Sequence, residues 1–90
     1  VREHRVDAQT ATRHARAAAK KQRVERAQRE LTRASGRWRA AEHRVLQLQA
    51  DRASEQRIAV AKAASRERAH DVVAAREAVA AARSASEGRR

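Results

Sequence analysis

Carboxylates stand four residues apart three times in this 90-residue chain, as Glu3 and Asp7, Asp51 and Glu55, and Glu67 and Asp71. On a helix that spacing puts both acids on one face, a first requirement for a general acid and base. The second is a concave site that excludes water and moves the two pKa values apart. Arginines flank the pairs, so their expected role is to balance neighbouring cations. The histidines are His4, His14, His43 and His70; no two are four apart, so one helix does not offer them jointly to a metal. Cysteine is absent, and there is no glycine-rich phosphate loop, GxSxG or HExxH. The sequence therefore predicts no catalytic residue, no metal site, no cofactor and no enzymatic activity.

A globular site would also need a core to hold it, and the apolar residues are of the wrong kind. They comprise 24 alanines, eight valines, three leucines, Ile58 and Trp38, with no Phe, Tyr or Met. At about 25 cal/mol per Å² of buried apolar area, methyl groups stabilise an interior weakly. Ala, Arg, Gln, Glu, Lys and Leu are strong helix formers, proline is missing, and glycine occurs only at Gly36 and Gly88. An elongated all-α, coiled-coil-type structure is expected, each helix borrowing burial from a neighbour.

Ala27, Leu31, Ala34, Trp38, Ala41, Val45 and Leu48 follow one another at alternating four- and three-residue steps, the signature of a helix-packing seam. A second, more polar seam runs through Ile58, Ala61, Ser65, Arg68, Val72, Ala75, Val79 and Ala82. The two do not share a phase. Continuing the first beyond Leu48 lands on Arg52, Glu55, Ala59 and Lys62, so the chain must change direction or slip near residues 49–57. The favoured reading is an antiparallel hairpin reversing at about 50–54, where Asp51 or Ser54 caps a new helix. It pairs Val45 with Ile58, Ala41 with Ala61, Trp38 with Ser65, Leu31 with Val72, Ala27 with Ala75 and Val24 with Val79. The predicted unit covers 1–85, with helix 1 at about 3–50, helix 2 at about 54–85, and a flexible tail at 86–90. One continuous or kinked helix of about 135 Å is the alternative, with a stutter absorbing the slip. A turn at Ser35–Gly36 is a third; because the seam runs through it, Gly36 reads as a tolerated helical glycine beside which another backbone comes close.

The net charge is +11. Residues 13–44 carry eleven basic and three acidic side chains, whereas 1–12 is neutral and 45–90 carries only +3. Arg16, Lys20, Arg23, Arg26, Arg29, Arg33 and Arg37 recur every three or four residues, so they line a helical face whose like charges repel. Glu25 to Arg29 and Arg26 to Glu30 are the expected offsets. A face of this density suits an acidic protein surface or phosphates. With one aromatic residue, itself on the seam, any RNA or DNA binding would be backbone-directed and without sequence specificity.

No stretch reaches the ~18 apolar residues of a membrane span. A soluble protein of the cytoplasm or an organelle matrix is expected, and the start at Val1 points to a processed product or a fragment. Two function classes remain: a coiled-coil adaptor, stalk or scaffold subunit that packs on helices of itself or of a larger assembly and grips an acidic partner, or a ribosome- or nucleoid-associated basic helix on nucleic-acid backbone. The near balance of charge after Val45 favours the first. Over residues 5–85 the Arg-, Ala- and Gln-rich composition and paired seams resemble the FliJ/YscO-type stalk proteins of type III secretion ATPases. That resemblance implies a ring ATPase as partner and assigns no binding residue. So thin an apolar face also predicts a homo-oligomer or a place in a complex.

Overall fold

The computed structural model describes the backbone of residues 2–87 and the side chains of residues 8–85. Helix α1 spans Arg2–Ala50 and helix α2 spans Glu55–Glu87. They form an antiparallel hairpin measuring 77 × 19 × 12 Å. Its radius of gyration is 21.5 Å, against about 12 Å for a globular chain of this length. Two helices that bury methyl groups against each other leave nothing to round the molecule off.

The phase slip between the seams is absorbed by a four-residue turn built from caps. The Arg52 N–H donates to Gln49 O at 3.2 Å and the Ala53 N–H to Leu48 O at 2.9 Å, the paired bonds of a Schellman motif. That motif needs a left-handed residue, and Arg52 supplies it with φ 55° where glycine is the usual choice. Leu48 is buried and Ala53 half-buried, the two positions whose apolar contact accompanies this motif. Ser54 then starts α2: its Oγ accepts the Arg57 N–H at 3.2 Å, and its carbonyl accepts the Ile58 N–H at 3.0 Å. Of the two candidate caps Ser54 is the one used. Asp51 closes α1 instead, its N–H donating to Gln47 O.

The core is narrow. Ala34, Val45 and Leu48 of α1 and Ser65, Val72, Ala75 and Val79 of α2 are buried. Ala34, Val72 and Ala75 form the central cluster, with Leu31 packed against it. Buried Ser65 is satisfied by Glu42, its Oγ donating to Oε1 at 2.6 Å. No buried side-chain polar atom among the described residues lacks a partner.

Several expectations need correction. Trp38 lies on the seam but is 37% exposed: alanine-lined helices approach too closely to admit an indole between them, so it lies at the rim. Arg68 is exposed and pairs with Asp71 at 3.4 Å, while neighbouring Ala69 is half-buried; a guanidinium in an apolar layer would leave water without compensation. Gly36 meets nothing within 4 Å of an added Cβ, so no backbone approaches it. The helix also outruns the predicted tail, since Ser86 and Glu87 continue α2 with no stop signal before Gly88. Residues 88–90 of that tail lie outside the described residues.

The helices are of unequal length, 49 and 33 residues. At 1.5 Å per residue and with Ser65 opposite Glu42, the end of α2 comes level with roughly Arg16 to Lys20. The first part of α1 therefore extends past its partner. Along it the seam positions are Lys20, Ala17, Arg13 and Thr10, three of four polar, which suits an unpartnered helix.

Candidate interaction face

The buried seam supplies a seven-residue frame in which a and d face the partner helix. Val24, Leu31, Trp38 and Val45 occupy a; Lys20, Ala27, Ala34, Ala41 and Leu48 occupy d. Arg16, Arg23, Arg37 and Arg44 then share position g, Arg26 and Arg33 the adjacent c, and Arg29 the adjacent f. Among the described residues, seven arginines thus fall on one flank of α1, interrupted by a single carboxylate, Glu30. Arginines at g repeat at about 10.5 Å and span about 42 Å from Arg16 to Arg44. On the opposite flank, positions e and b between His14 and Gln49 hold Lys21 and Arg39 against Glu25 and Glu42, which balance. A helix whose one flank is packed with like charge carries an internal repulsion.

The pairs that offset this repulsion differ from those expected. Glu30 binds Arg37 at 3.1 Å and Arg33 at 3.6 Å, and Glu25 turns away to Lys21 at 4.0 Å. Neither Glu25–Arg29 nor Arg26–Glu30 forms. Glu25 sits at position b, so it reaches back along its own side of the helix. Arg16, Arg23, Arg26, Arg29 and Arg44 make no ion pair among the described residues. Each is exposed. Lys20, grouped with them by spacing, stands apart on the seam and is half-buried. Arg44 lies within the basic segment, but only the seven-residue frame aligns it with Arg16, Arg23 and Arg37.

The seam residues divide by depth. Ala34, Val45, Leu48, Val72 and Val79 are buried; Ala27, Leu31, Ala41 and Ile58 are half-buried. Glu42 has no apolar signature, so sequence periodicity passes over it although it holds the buried Ser65 hydroxyl of the interface.

The acidic pairs are dispersed. Asp71 is engaged by Arg68, Asp51 and Glu55 sit on either side of the turn, and the Glu3 and Asp7 side chains lie outside those described. Among the described residues no group of three or more His, Asp or Glu side chains is placed to hold a metal ion. No helix among them is long and apolar enough to cross a membrane. Comparison with protein-family models, with curated proteins and with solved structures returned no match.

Proposed function

We propose that the chain is a non-catalytic coiled-coil adaptor, stalk or scaffold subunit that docks the arginine flank of α1 on an acidic protein partner. The observation supporting this is the flank itself. Five exposed arginines on that flank, Arg16, Arg23 and Arg44 at position g with Arg26 and Arg29 beside them, have no ion pair among the described residues, although the opposite flank of the same helix is charge-balanced. Repulsion between like charges three and four residues apart disfavours the helix by a few tenths of a kcal/mol per pair, and an acidic surface relieves it. Guanidinium groups hold carboxylates through two parallel hydrogen bonds, so a rigid row of them also fixes orientation.

The test is binding of labelled RNA and of a DNA duplex as salt is raised, with helicity recorded in the same samples. The adaptor reading predicts weak nucleic-acid binding that is gone by about 150 mM salt. Binding tighter than the ~10⁻⁶ M limit of non-specific contact at that salt, with helicity rising, would replace it by the nucleic-acid reading.

A further inference from the structure

Beside the arginine flank lies an apolar strip of α2. Arg44 and Leu48 of α1 line one open groove together with Arg57, Val60 and Ala64 of α2, so these sides of the two helices belong to the same face of the hairpin. In α2's own heptad frame that side continues through Ala74, Ala78, Ala81 and Ala85, all exposed. The antiparallel register sets these alanines level with the stretch of α1 where Arg23, Arg26, Arg29 and Arg33 line a second groove. A ridge of guanidinium groups therefore runs alongside a shelf of methyl groups for about three helical turns. Val60, 66% exposed, extends the shelf toward the turn; Glu67 and Asp71 interrupt it.

We propose that this face receives one helix of a partner protein, acidic along one edge and small or apolar along the next, laid between α1 and α2 as a third helix. The proposal rests on the reading of the arginine flank above and names the partner's chemistry. Charge selects the occupant. A second copy of this chain is excluded as the natural fit, because each copy carries +11 and two of the three carboxylates on this face, Glu30 and Asp71, already hold arginines of their own chain. A nucleic-acid backbone would engage the guanidinium tips and leave the methyl shelf bare. An α-helix ~10–12 Å across reaches both, since methyl-lined surfaces let helix axes approach to about 8 Å. Its acidic edge meets the arginines while its small residues cover the alanines.

The experiment uses the full chain at about 150 mM salt and two labelled synthetic peptides of identical composition. One arranges Leu and Ala on one helical face with Glu on the adjoining face; the other scrambles that order. Fluorescence anisotropy should show the amphipathic peptide binding at least about tenfold more tightly than the scrambled one. The double variant Ala78→Gln, Ala81→Gln should abolish that preference without altering the thermal melt. Equal binding of the two peptides would overturn the third-helix proposal while leaving the arginine flank as a charge-reading surface. Tighter binding of an RNA duplex than of either peptide would overturn the proposal and the protein-partner reading together, as would no binding of any probe.

Discussion

Ser65 in α2 donates a 2.6 Å hydrogen bond to Glu42 in α1, and the two groups pay unequally for its loss. Ser65 is 5% exposed while Glu42 is exposed to water. Removing the hydroxyl leaves a carboxylate that water re-solvates. Removing the carboxylate strands a buried hydroxyl. Glu42→Ala should therefore cost about 1–2 kcal/mol and Ser65→Ala less than about 0.5 kcal/mol. The double variant should match Ser65→Ala in urea unfolding, and a double variant as unstable as Glu42→Ala would show that Glu42 acts elsewhere.

Arg52 closes α1 with φ 55°, a conformation in which a Cβ crowds the backbone. Arg52→Gly should raise stability by about 1 kcal/mol, a gain of roughly 4–8 °C in melting temperature. No gain would mean the arginine side chain contributes as much as its backbone strain removes.

Gly36 faces open space in the middle of α1. Gly36→Ala should stabilise by about 0.5–1 kcal/mol through helix propensity. Lying 16 residues from Arg52 and sharing no partner with it, this change should add to Arg52→Gly. Thermal melts of the single and double variants check both claims.

Trp38 carries the largest side chain yet lies at the rim of the interface. Trp38→Ala should cost about 1–2 kcal/mol, short of the ~3–5 kcal/mol of a core aromatic. Iodide should quench its fluorescence in the folded protein. A loss in the upper range with no quenching would place the indole inside.

The all-α hairpin was legible because the two seams are strictly periodic and out of phase, and because Ser54 is a side-chain cap of known geometry. Depth within the seam was less legible. Heptad spacing treats Trp38 and Ala34 alike, but the distance between helices is set by the alanines, and that distance excludes the indole. Arg68 and Ala69 are likewise adjacent to one seam position, and the choice between them follows from the cost of burying a cation. The left-handed turn was hidden because the residue adopting it is arginine. The face made by the flanks of both helices could not be read from either helix alone, since it depends on which side of α1 abuts which side of α2.

The arginine flank is tested by replacing Arg23, Arg26, Arg29 and Arg44 together by glutamine and measuring circular dichroism, thermal unfolding and binding of the amphipathic acidic peptide. Helicity should be unchanged, the melting temperature equal to or above the parent because like charges are relieved, and peptide binding weakened by at least about tenfold. Loss of helicity would make the arginines structural, and unchanged binding would contradict the assignment of the flank as the docking surface.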